Sequence, residues 1–215
     1  MITEWPGVLD PERLNASLVE TNFRVSDAAR VGKWDEVFRL LDSDSFVHVN
    51  QWRVGGGSWF TPLHQAAWHG APVVIVNRLL RLGAWRSLRN ADGDRPIDIA
   101  AKRGHHHLFT ALAVPDLTLQ EQQNFTSWDA HLAGLIAERT RTLTPTRFRQ
   151  VPTEILALDD LESLWVPYPG MYGGFDVSIY KNRLFVESWS RVVGGSGQAH
   201  VITERDCVLV DQGFV

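Results

Sequence analysis

Three consecutive histidines, His105-His106-His107, form the densest run of metal-ligating side chains in the sequence. On a helix they would point about 100° apart, so they cannot all hold one ion. Cys207 is the single thiol; it follows Asp206 and has no histidine beside it, which leaves only the more distant His200 to activate it as a nucleophile. Glu187, Trp189, Arg191 and His200 combine an acid, an indole, a guanidinium and an imidazole within one alternating tract. Those types together can line a small-molecule or peptide site. Gly194-Gly195-Ser196-Gly197 is glycine-rich but lacks the Gly-Lys-Ser/Thr ending of a phosphate loop and the spacing of a nucleophile elbow. None of these groups has the specificity of a catalytic signature. The sequence predicts no enzyme, no metal site and no cofactor.

The elements that carry these residues divide the chain. From about residue 144 the pattern alternates, as strands do. A short helix is expected over residues 153–161, then strands over 164–167, 175–180, 184–193, 198–203 and 208–210. Lys181-Asn182 and Gly194-Gly195-Ser196-Gly197 are read as hairpin turns. In that register Phe175, Val177, Ile179, Leu184, Val186, Val192, Ala199 and Val201 form a core face. Asp176, Tyr180, Phe185, Glu187, Trp189, Arg191 and His200 lie on the other, with Asp176 opposite Glu187 and Arg191 opposite His200.

The first half has helical periodicity and repeats itself. Ala-Ala pairs recur at Ala28-Ala29, Ala66-Ala67 and Ala100-Ala101, each followed by a glycine: Gly32, Gly70 and Gly104. Apolar helical runs follow each glycine. The middle unit opens with Thr61-Pro62-Leu63-His64. There Thr61 is suited to cap a helix and Pro62 to occupy its first turn, where a missing N–H costs nothing.

This Thr-Pro-Leu-His opening, with Ala-Ala pairs spaced 38 and 34 residues apart, near a period of ~33, resembles the ankyrin-repeat family. The resemblance covers residues 25–113 as about three repeats. Residues 23–26 and 95–98 depart from the signature, as terminal repeats do. The tract 168–174 and the segment 187–198 resemble C-terminal regions of bacterial ankyrin-repeat proteins of undefined role. The expected fold is α+β: a capping segment over 1–24 with a sealing helix at 10–21, a helical stack over 25–114, a connecting helix within 115–143 and an antiparallel β-rich domain over 144–215. In the connecting helix, Thr118 and Glu121 form a capping box, and Trp128, Leu132, Leu135 and Ile136 share a buried face. The resemblance implies binding through turn tips and the exposed side of each first helix. That assigns Trp52, Trp59, Phe60, Trp68, His69, Arg89, Asp92, Asp94, Lys102 and Arg103 to a partner-binding surface, and His64 to the turn network. Residues 47–60, with Gly55-Gly56-Gly57, read either as a flexible finger holding Trp52 and Trp59 or as a loop folded back on the stack.

Composition narrows the partner and the compartment. The 215 residues are 44% hydrophobic and 21% charged with a formal net charge of -4, which favours neither nucleic acid nor an acidic membrane. A single cysteine suits a reducing compartment, and no run approaches the length of a membrane helix, so a cytoplasmic protein is expected. The leading expectation is a non-enzymatic adaptor or inhibitor that binds another protein. A ligand site at Glu187, Trp189, Arg191 and His200 is the alternative. Self-assembly, with exposed tryptophans marking a homodimer interface, is the third, and the expected state is a monomer or a weak homodimer.

Overall fold

The computed structural model describes residues 3–43, 47–191 and 195–213. The chain forms two compact units. One comprises Leu9–Pro115; the other joins Met1–Val8 to Asp116–Val215.

The first unit is a stack of helix pairs: α1 (Ala16–Arg30) with α2 (Trp34–Ser43), α3 (Pro62–His69) with α4 (Val73–Arg81), and α5 (Pro96–Lys102) with the short α6 (Phe109–Leu112). The first helices pack in order, α1 on α3 and α3 on α5. Small residues allow this closeness, since Ala28, Ala29, Ala66, Ala67 and Ala100 are all buried. The expected sealing helix at 10–21 does not exist separately. Pro11–Arg13 is a 3-10 turn, Asn15 caps Ser17 N–H, and a single helix runs from Ala16 through the first alanine pair to Arg30. No proline or glycine interrupts residues 16–30, so the helix has no reason to stop.

The middle pair shows its local causes. Thr61 Oγ1 accepts from His64 N–H at 3.5 Å, and His64 Nδ1 accepts from Thr61 N–H at 3.2 Å. Gly70 ends α3 at φ 60°, and a Cβ there would lie 2.5 Å from the His105 ring. Both the left-handed backbone and the space demand glycine. In the third pair Asp98 replaces the histidine, and its carboxylate accepts from Arg95 N–H at 2.8 Å. The capping logic survives a complete change of residue types.

The second unit holds a long helix, α7 (Leu119–Thr140), a short α8 (Glu154–Leu158) and a five-stranded antiparallel meander in the order β1-β2-β3-β4-β5. The strands are β1 (Leu164–Pro167), β2 (Gly174–Ile179), β3 (Leu184–Ser190), β4 (Ser196–Ile202) and β5 (Cys207–Gln212). The Thr118–Glu121 box forms, and Trp128, Leu132, Leu135 and Ile136 are buried. From Asp116 onward the chain belongs to the unit that contains the sheet. The N-terminus belongs there too. Trp5 N–H donates to Trp165 O and Trp165 N–H to Thr3 O, both at 2.8 Å, so residues 3–5 cover the free edge of β1. Trp5 is fully buried and its indole N–H donates to Arg149 O at 2.8 Å.

The register corrects the expected faces at β4. The β2–β3 turn at Lys181-Asn182 forms with φ 48° and 58°, and Asp176 faces Glu187 as read. The next hairpin pairs Ser190 with Ser196, so Gly197 already lies in β4 opposite Trp189. His200 therefore faces Val186, not Arg191, and Ala199 faces Glu187. The core face carries His200 and Ile202; Ala199 and Val201 lie on the other. Val192 and Gly194 fall outside the described residues.

Candidate binding face

The first helices of the stack expose one aromatic and basic tier. Trp68, directly after Ala66-Ala67, remains 43% exposed although it is a large indole. Its ring meets Phe60 edge-on at 6.1 Å on one side. The Arg103 guanidinium lies 4.3 Å over it on the other. Among the described residues no carboxylate pairs with Arg103, so its charge stays available beside the indole. Helix geometry explains the tier. Trp68 lies in the last turn of α3 and Arg103 caps the end of α5, each just after its alanine pair, and the alanines bring those helix ends together.

Histidines lock these turns in place. His69 Nε2–H donates to Arg30 O at 3.0 Å and His105 Nε2–H to Trp68 O at 3.2 Å. Each histidine thus satisfies a terminal carbonyl of the preceding pair's first helix, a group that the helix itself leaves unpaired. A carbonyl only accepts, so the proton in each must sit on Nε2. His107 Nε2–H likewise donates to Ala71 O at 3.3 Å. His69 also meets Trp34 edge-on at 6.2 Å. Two members of the histidine run thus hold main chain.

Beside the tier lies a cleft of about 300 Å³, lined by Ser26, Asp27, Ala29 and Arg30 of α1, Arg53, Ser58 and Phe60 of the following loop, and Pro62 and Gln65 of α3. Asp27 divides it electrostatically. Its carboxylate is 2.8 Å from Arg53 and 3.7 Å from Arg30, so two guanidiniums share one acid. Arg53 is also held 4.2 Å over the Phe23 ring. Sequence reasoning passed over Asp27, although its position just before Ala28-Ala29 marks the same helix face.

The loop before α3 is not a free finger. Trp52 is 1% exposed, and Val47, Val49 and Val54 are buried with it. The buried Asn22 of α1 holds it: Asn22 Nδ2–H donates to Trp52 O and Val54 N–H donates to Asn22 Oδ1, both at 2.9 Å. Trp52 is therefore withdrawn from the binding surface. Trp59 and Phe60 are half-buried, with Trp59 at φ 54°. The turn tips stack through Ala91 N–H donating to Ser58 O at 3.0 Å. At the tips Arg89 donates to Gly93 O at 3.0 Å, Asp92 is exposed, and Asp94 holds Lys102 Nζ at 2.5 Å.

The alternative constellation on the sheet does not converge. Glu187 and His200 lie on opposite faces, and Arg191 follows the end of β3. The β4 register separates them. His200 is only 7% exposed, and burial pushes its imidazole below the ordinary range, with the Arg139 charge adding to the effect. Trp189 stacks on Trp165 at 4.8 Å.

Residues 58–91 match the family model for the ankyrin repeat. This stretch is thus similar to one ankyrin repeat. The matched span takes in Trp59, Phe60, Trp68, His69 and Arg89, and so the centre of the tier. Ankyrin repeats are protein-interaction modules and are typically non-catalytic. The helix pairs on either side extend the stack, and among the described residues no helix is long and apolar enough to cross a membrane.

Proposed function

We propose that this protein is a non-enzymatic adaptor or inhibitor that grips another protein through the Phe60–Trp68–Arg103 tier and the adjoining cleft. The exposed Trp68, flanked by Phe60 and by a guanidinium without a carboxylate, carries this reading. An indole and an arginine together are the residue types that dominate interface hot spots. Their cost in solubility is hard to explain on a scaffold alone. His69, Lys102, Arg89, Asp92 and Asp94 form the polar rim, and Trp59 and Phe60 its loop side. The cleft beside Asp27 would take a side chain of the partner that satisfies Arg30 and Arg53.

The test is affinity capture from the native host with wild type and with Trp68→Ala/Arg103→Ala. The double variant should lose a protein that wild type retains, while its circular dichroism stays unchanged. Retention of the same proteins by both would refute the tier as the binding site.

A further inference from the structure

The sheet treats its two edges differently. The edge at β1 is covered by the chain's own residues 3–5 through main-chain hydrogen bonds. Among the described residues the edge at β5 has no such cover: β5 pairs with β4 alone. Bare edges are ordinarily blunted by charge, proline or cover. Here the strand instead displays Val208, Leu209 and Val210, which are 50%, 44% and 53% exposed.

The hydrogen-bond phase of β5 tells which groups are open. Thr203 N–H donates to Asp206 O at 2.9 Å, so in the alternating antiparallel pattern Asp206 and Val208 turn their main-chain groups toward β4. Cys207 and Leu209 turn theirs outward. A second β5 running antiparallel can then bond Cys207 to Leu209 of the second copy, and Leu209 to Cys207 in return. In that register Val208 meets its own symmetry mate. The alignment is self-complementary in main-chain bonding and in apolar side chains. Such self-complementarity is what a two-fold interface requires. Val201, opposite Val208 on β4, would continue the apolar stripe on both sides. The extra residue at Val210, where the register shifts, confines close pairing to the strand's first half.

We propose that β5 is a homodimerisation edge, through which two copies join their sheets into one of ten strands. This surface is independent of the tier on the helical stack, and a dimer would carry two such tiers. The avidity of paired sites follows if the captured partner is itself multivalent.

Cross-linking tests the register directly. In a Cys207→Ser background, Val208→Cys places two thiols at a non-hydrogen-bonded pair, where Cβ atoms approach to about 4.5–5.5 Å. Val210→Cys is equally exposed but lies far from its mate. Under mild oxidation the first should form a disulfide-linked dimer and the second should not. Sedimentation of wild type across a dilution series should show a monomer–dimer equilibrium, and Leu209→Lys should raise its dissociation constant at least about tenfold. A wild-type monomer at every concentration, equal cross-linking of the two cysteine variants, or a dimer indifferent to Leu209→Lys would each overturn the proposal.

Discussion

Asn22 shows how one buried amide decides what a loop can do. It is 1% exposed and spends both ends of its side chain on the main chain of Trp52 and Val54. Asn22→Ala would leave a buried acceptor and a buried donor unpaired, at a cost of about 2–3 kcal/mol. Chemical denaturation should register that loss, and acrylamide should quench Trp52 fluorescence more readily in the variant. The glycines and tryptophans of this loop are visible in the sequence. The amide that pins them is not, because it sits 30 residues upstream and looks like any helical asparagine. On the sheet, Asp176 faces Glu187, and among the described residues neither has a cation partner. Like charges opposed across strands are unfavourable. Glu187→Lys should therefore stabilise the protein by roughly 0.5–1 kcal/mol, read as a raised melting temperature. That pairing was legible from the Lys181-Asn182 turn alone, since a two-residue hairpin fixes its own register.

At the scale of elements, legibility follows locality. Helix α3, its Thr61–His64 cap and the Gly70 stop were readable because every cause lies within ten residues. Helix α7 was readable from the Thr118–Glu121 box and the spacing of its buried face. Strand β4 was not. Its face depends on a β3–β4 register that pairs Ser190 with Ser196, and any odd shift from it exchanges His200 and Ala199 between the two faces. The cover of β1 by residues 3–5 pairs positions some 160 residues apart, and local pattern holds no trace of it. Two buried groups give the units opposite responses to acid. In the stack, burial pushes the His48 imidazole down to about 4 beside Trp85, with its Nε2 shut away from water. The unfolded chain binds that proton from pH 6.5 downward and the folded one does not, so stability falls as pH drops from 6.5 toward 4, by about 3 kcal/mol. In the sheet unit, burial raises the Asp129 carboxyl to about 6, although it accepts from Thr153 N–H and Oγ1–H at 2.7 and 2.6 Å. The folded form holds that proton more tightly, so this contribution is present below about pH 4 and is lost as pH rises through 6, again by about 3 kcal/mol. Asp129→Asn should stabilise the protein at pH 7 and have little effect at pH 4. His48→Gln should flatten the loss between pH 6.5 and 4. Thermal melts at these pH values check both.

At the scale of the whole molecule, the chain spends its unusual residues in two ways. Of nine tryptophans, Trp5, Trp52, Trp85 and Trp128 are buried within their units, and Trp68 is the one most clearly given to solvent. The stack's alanine pairs, terminal glycines and inter-repeat histidines bring that indole, Phe60 and Arg103 together, and nothing in their arrangement resembles a catalytic site. The tier is proposed for an unlike partner, and the β5 edge of the sheet unit for a second copy. The binding claim rests on the tier, and one measurement addresses it most directly. With the protein that wild type captures from its host, calorimetric titration should show that Trp68→Ala/Arg103→Ala weakens binding by at least about 2 kcal/mol, close to thirtyfold, with the fold intact. An affinity unchanged within error would contradict the account.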